Sequence, residues 1–298
     1  EMRSVCGGEF QTDACGRFTG VATEGAQQYV LDRIPAPPAD QVLAILKEEQ
    51  QALFRLGICS IHDAGTDQLS VKDYVGLYKA FADSGSLKLR TCLMVRPVPG
   101  MEEEAFFSYV AQLKREHPPE RSRLFFGAVK LFADGSIGGR TAALCRGYRG
   151  QPENRGLLLL ESLKTYIAAA HRHRLAVAVH AIGDRAAEET ANRMIAAMRK
   201  DGVYIRHRIE HAELQHERLM EKIAQNGLCV MTQPGFIGEF QQSYRNNLGE
   251  DEALRIQPLK TMLRRGICVG FGTDYPVISP SPALGIESAI TRREREGR

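Results

Sequence analysis

The strongest constraint on this chain is a rhythm that sets in at Gly57: a glycine or basic residue, a short apolar run, a polar tip, then an amphipathic helix. The runs are Ile58 to Ile61, Leu89 to Val95, Ala128 to Phe132, Ala176 to Val179, Tyr204 to Ile209, Leu228 to Met231 and Ile267 to Phe271. Continuous apolar runs of this length are strands buried on both faces, which is how a parallel sheet covered by helices reads. The intervening segments, such as Leu163 to His171 and Arg185 to Met198, have helical periodicity, the second opening on Asp184 as an expected N-cap. Such alternation gives an α/β fold, either a doubly wound open sheet or a (β/α)8 TIM-type barrel. A barrel needs eight strands, so one is expected outside this chain.

The first thirty-five residues break the rhythm. Glu9 to Val21 reads as two short strands around a turn at Asp13 to Gly16, and Pro35, Pro37 and Pro38 close the segment off. The expected organisation is a β-hairpin insertion over residues 1–35 and the barrel over 36–298. No G-x-G-x-x-G follows an early strand, which argues against a dinucleotide site, and a flavin or nicotinamide barrel is disfavoured with it.

Composition excludes several partners. The net charge of +3 is small for 298 residues and the basic residues are dispersed, so no nucleic-acid surface is expected; the run Arg292 to Arg298 reads as a solvated helix end. No apolar stretch reaches the roughly 18 to 20 residues of a membrane span. Seven cysteines with no C-x-x-C pair point to a reduced, cytoplasmic protein, and Cys59, Cys92, Cys229 and Cys268, inside apolar runs, are expected to be buried. The sequence does not fix the oligomeric state, and a homodimer stays open.

In either α/β architecture the chemistry lies at the carboxyl ends of the strands. There the sequence places His62-Asp63, Lys130 with Asp134, His180, Glu210-His211, Gln233 and Thr273-Asp274. Imidazole and carboxylate donors suit zinc and similar divalent ions. A buried lysine has a depressed pKa and, on adding carbon dioxide, becomes an anionic carbamate ligand. Each residue alone has a plainer reading: Lys130 as a snorkelling or ion-paired lysine with Asp134 or a neighbouring carboxylate as partner, Asp274 as a helix cap or an Asx turn before Pro276, His62 and Asp63 as pocket lining. The set Lys130, His180, His211 and Asp274 is what points to a metal. The single H-x-H, His171-Arg172-His173, sits at a helix end where cations favour the dipole, and is set aside as a ligand pair.

Five stretches resemble a known family: Gly57-Ile-Cys-Ser-Ile-His-Asp-Ala-Gly65, Val129 to Ala142 with Lys130 and Gly135-Ser136, Val179-His-Ala-Ile-Gly-Asp-Arg-Ala186, Arg208-Ile-Glu-His-Ala212, and Gly272-Thr-Asp-Tyr-Pro-Val277. They are similar to the amidohydrolase superfamily, in its YtcJ-like branch (amidohydrolase family 3). The resemblance implies a barrel holding one or two divalent metals, zinc first among them, with carbamylated Lys130 bridging. His180 and His211 would bind one metal; Asp274 would bind the other and serve as catalytic proton shuttle. It further implies a metal-dependent hydrolase acting on carbon–nitrogen bonds of a small amide-like substrate, with Arg140, Tyr148, His62 and Asp63 as substrate-binding candidates. The family's H-x-H after its first strand and its flanking β-sandwich are absent here, so the expectation is a barrel lacking its first strand. A mononuclear deaminase-like site, which needs no Lys130, and a non-catalytic barrel or interaction domain are the rival readings.

Overall fold

The computed structural model describes residues 4–294, apart from 6–7, 24, 32, 66–70 and 98–100. A small antiparallel sheet of β1 (Ser4–Val5), β2 (Gly8–Thr12) and β3 (Phe18–Thr23) opens it, with helix α1 (Gly25–Leu31) alongside. Asp13 builds the hairpin turn, its Oδ1 accepting from the N–H groups of Cys15 and Arg17 at 2.9 Å each. Phe10 packs edge-on against Phe18 and Tyr29.

Helix α2 (Ala39–Arg55) leads into the alternating region. It runs β4 (Ser60–Asp63), α3 (Val71–Asp83), β5 (Arg90–Leu93), α4 (Glu103–Glu116), β6 (Leu124–Phe126), β7 (Val129–Phe132), α5 (Leu160–Arg172), β8 (Val177–Ala181), α6 (Asp184–Asp201), β9 (Arg208–His211), α7 (Glu217–Gln225) and β10 (Cys229–Thr232). Short helices α8 (Gly235–Glu239), α9 (Gln241–Leu248), α10 (Glu250–Ala253) and α11 (Leu259–Arg264) precede β11 (Cys268–Phe271) and α12 (Pro282–Thr291). Among the described residues, no helix is long and apolar enough to cross a membrane. Arg292 caps α12 in the left-handed conformation; the rest of the charged run, from 295, lies outside the described residues.

All the strands from β4 onward pair in parallel, in two sheets, β4-β5-β6 and β7-β8-β9-β10-β11. The sheets are continuous through β5: Gly127 N–H donates to Leu93 O (2.8 Å) and Lys130 N–H to Val95 O (2.9 Å). Residues 124–132 thus form one bent strand with its break at Gly127-Ala128, and a Cβ at Gly127 would lie 2.5 Å from Cys92 Sγ. Counting β6 and β7 together, the strands make a seven-stranded run in chain order. The run curls: the Tyr275 hydroxyl beyond β11 donates to Glu49 Oε2 on α2 at 3.0 Å, and Arg208 of β9 lies 3.0 Å from His62 of β4. β4 and β11 are its outer strands, each paired on one side among the described residues.

The strand pleat sorts side chains onto two faces. Leu93, Val95, Val129, Leu131, Val177, Val179, Ile209 and Val230 join one large core against the helices, together with Phe106, Phe107, Leu163, Ile167, Met194 and Leu219. The opposite face is sparsely apolar: Met94, Ala128 and Ala178 form a minor cluster. Lys130, His180, Arg208 and Glu210 share that second face by alternation.

Three local features depart from the sequence reading. Leu124 to Phe126 is a strand that was not anticipated, since it merges with the next apolar run. The run starting at Tyr204 becomes a strand only at Arg208, because His207 turns inward and its Nδ1 accepts the Val177 N–H (3.1 Å) in place of a ladder carbonyl. Gly183, not Asp184, is the N-cap of α6; Asp184 is its first residue and accepts from Cys145 N–H at 2.8 Å.

His207 belongs to a buried chain of contacts at the amino ends of the strands. With Nδ1 accepting, its proton sits on Nε2 and faces His171 Nδ1 (3.4 Å), so His171 Nε2–H donates to Asp201 Oδ1 (2.9 Å). Arg174 holds the other Asp201 oxygen at 2.7 Å. His171 is therefore a buried connector, and His173 pairs separately with Glu104. Of the four cysteines expected inside, Cys92 and Cys229 are buried and Cys59 and Cys268 exposed. The exposed two flank or lie on the outer strands, which pair on one side only among the described residues.

Candidate metal centre

Lys130 lies mid-strand in β7, His180 and His211 at the ends of β8 and β9, and Asp274 three residues past β11. The two imidazoles meet edge to face, with ring centroids 4.4 Å apart. Their tautomers are set by neighbours: His180 Nε2 donates to Gly135 O (2.9 Å), leaving Nδ1, and His211 Nδ1 donates to Gln233 Oε1 (2.8 Å), leaving Nε2. Desolvation, with Lys130 beside it, brings the His180 pKa down to about 3. Burial and the neighbouring His180 lower His211 as well, so both rings are neutral at pH 7.

Lys130 is buried, and its Nζ lies over the Phe132 ring, 4.7 Å from the centroid. Desolvation lowers its pKa to about 8, against the opposing pull of Glu210 and Asp274. Asp274 is exposed as a residue, yet its carboxyl sits where desolvation raises its pKa and the Lys130 ammonium counters that rise. His211, Ala212 and Asp274 all adopt left-handed φ (69°, 46° and 56°), an unfavourable backbone for these residues that turns the chain sharply where strand gives way to site.

Asp134 is committed to backbone donors. Its fully buried carboxylate accepts from Ala143 N–H (2.9 Å), Ile182 N–H (3.0 Å) and Gly183 N–H (2.8 Å), stitching the loop after β7 to the turn after β8. It also lies 3.6 Å from His180 Nε2.

The four substrate-binding candidates divide. His62 lies on the Lys130 face, its Nδ1 3.0 Å from Arg208 Nη1. Asp63 points to the helix side, accepting from the Tyr78 hydroxyl (2.5 Å) and Gly65 N–H (3.0 Å). Arg140 donates to Asn247 Oδ1 (2.7 Å), which ties its loop to α9. Tyr148 is buried inside that loop, with its hydroxyl donated to Ala142 O at 2.9 Å. The structure thus brings His62 toward the centre and gives Asp63 and Tyr148 other partners.

Residues to which the sequence reading assigns no role complete the surroundings. Arg208 Nε lies 2.5 Å from Glu210 Oε1, an ion pair by distance without hydrogen-bond alignment, and Arg208 also reaches Met94 Sδ. Arg96 stacks over Phe132, 4.4 Å from the centroid, and its stem lies where a Cβ at Gly65 would sit. The signal for all of these was parity: each occupies the strand face that carries Lys130.

Two neutral imidazoles with one nitrogen each uncommitted, their other nitrogens held by Gly135 and Gln233, match what a zinc-like ion takes from histidine. Among the described residues, no three His, Cys, Asp or Glu side chains converge into a metal cage. The fit therefore rests on the histidine pair with Lys130 beside it.

The profile of the amidohydrolase family matches residues 4–298. YtcJ of Bacillus subtilis (strain 168) is 31% identical over 294 residues, 96% of this chain and 53% of that protein. N-substituted formamide deformylase of Arthrobacter pascens is 22% identical over 303 residues, 98% of this chain and 54% of that one. A crystal structure described as an uncharacterized metal-dependent hydrolase from Pyrococcus furiosus superposes with a TM-score of 0.72 at 26% identity, covering 90% of this chain and 53% of its own. The chain spans about half the length of the curated relatives it matches. Parallel strands alternating with helices, the histidine pair at their carboxyl ends and a profile match over nearly the whole length together show that this chain belongs to the amidohydrolase family, on its YtcJ-like side.

Proposed function

We propose that this chain carries the larger part of the metal site of a hydrolase that cleaves carbon–nitrogen bonds in small amide-like molecules. The observation that carries the reading is the His180–His211 pair, neutral, with fixed tautomers, beside buried Lys130. His180, His211 and Lys130, the last as its carbamate, would hold the ion, with Asp274 as a further ligand. When bound, a divalent ion, zinc by this donor set, supplies Lewis acidity and lowers the pKa of water to roughly 7. Asp274 then has ordinary general acid–base work, taking a proton at its carboxylate and returning it to the leaving nitrogen. His62, on the same face, lines the substrate space, and Arg140 fixes the loop above it.

The outer edges of β4 and β11 are where one further strand would complete a (β/α)8 barrel, and we assign the remaining metal ligands to such a strand. The formamide-cleaving relative supports the carbon–nitrogen class. The rival, a non-catalytic barrel, draws on the lack of a three-residue cage among the described residues. Elemental analysis of the purified chain and of a longer polypeptide, together with hydrolysis of a panel of N-acyl and N-formyl amines, separates the two. Bound metal that disappears in Lys130→Ala and His180→Ala, with amide cleavage, supports the hydrolase; no metal in either protein sinks it.

A further inference from the structure

Cys229 and Cys268 open two adjacent parallel strands and are register partners, Cys229 of β10 opposite Cys268 of β11. Val230 and Val269, the next residues along, pack against the large core, so both thiols project from the other face. Register partners on adjacent parallel strands stand about 4.8 Å apart, inside the roughly 4.4–6.8 Å between Cα atoms that a disulfide spans. No other two cysteines are register partners among the described residues.

We propose that Cys229 and Cys268 form a modification site, closing into a reversible cross-strand disulfide by exchange with a low-molecular-weight disulfide. Exposed Cys268 meets the reagent first, while Cys229 is buried and its thiol is pushed up to about 11, mainly by that burial. The Cys268 thiolate attacks one sulfur of RSSR, forming Cys268–S–SR and releasing RS⁻. Cys229, losing its proton to solvent, then attacks Cys268 Sγ; the Sγ–Sγ bond forms and the second RS⁻ leaves. The two cysteines lose two electrons and two protons, and RSSR becomes two RSH. The product ties the outer strand to its neighbour, and excess thiol reverses it.

The test treats the folded chain with oxidised glutathione, alkylates the remaining thiols and maps peptides without reduction. The expected result is a linked peptide pair containing Cys229 and Cys268, restored by dithiothreitol. Cys229→Ser should instead accumulate glutathione on Cys268, and Cys268→Ser should leave Cys229 alkylatable after unfolding. Glutathione persisting on Cys268 in the wild-type chain, a link from Cys268 to Cys15, Cys59 or Cys145, or unmodified Cys268 would each overturn the proposal.

Discussion

Acid should loosen this fold in part through His207, remote from the candidate metal centre. His207 has no exposed surface, its Nδ1 is committed to the Val177 N–H, and its Nε2–H faces His171. Protonation at Nδ1 would set two N–H groups against each other, and burial, then His171, lowers the pKa to about 4 from 6.5. The unfolded chain takes up this proton near pH 6.5 and the folded chain only near 4. The stabilisation is therefore complete above 6.5 and is lost as pH falls toward 4, at ~1.4 kcal/mol per pH unit, or roughly 3 kcal/mol in all. His207→Asn keeps an acceptor for Val177 and a donor for His171 but cannot titrate. Urea unfolding of both proteins at half-unit steps from pH 7.5 to 4 should show wild-type stability falling more steeply by about that slope. Parallel curves for the two proteins would refute the linkage.

Three other substitutions probe separate parts of the argument. Asp134→Asn replaces an acceptor of three backbone N–H groups with an amide whose NH2 must face one of them, and should cost roughly 2–4 kcal/mol in denaturant unfolding. Gly127→Ala should destabilise by about 1–3 kcal/mol through its clash with Cys92, and Cys92→Ala in the same chain should recover part of that loss. Gln233→Leu frees the His211 tautomer and should weaken zinc binding ~10–100-fold by competition with a chelating dye, while thermal unfolding of the metal-free protein changes little.

Much of the architecture was legible because burial on both faces writes itself as unbroken apolar runs. β5, β7, β8, β10 and β11 overlap the segments read from sequence, and the hairpin announced itself through Asp13 and Gly16. β6 was not separable, since Leu124-Phe125-Phe126 continues into Gly127-Ala128 and only the 2.5 Å approach of Cys92 shows why a break falls there. At the site, His180 and His211 were visible because each closes an apolar run, at the ends of β8 and β9. Arg208 was given no role, because a cation at a strand start reads as solvent-facing until the curled run folds that face inward. Tyr148 shows what a loop this long does with an aromatic: it supplies its own core, and the Tyr148 hydroxyl donates to Ala142 O.

The three hydrogen bonds to Asp134 carry a consequence for how such a scaffold can change its substrates. One carboxylate fixes both the return of the first loop at Ala143 and the turn at Ile182-Gly183, so the loop tip at residues 138–140 hangs from posts that do not depend on its own composition. Selection for new substrates can therefore rewrite that span, Arg140 included, while the strands beneath keep their spacing. A library confined to it should yield a high proportion of folded variants, and one that touches the posts a low one.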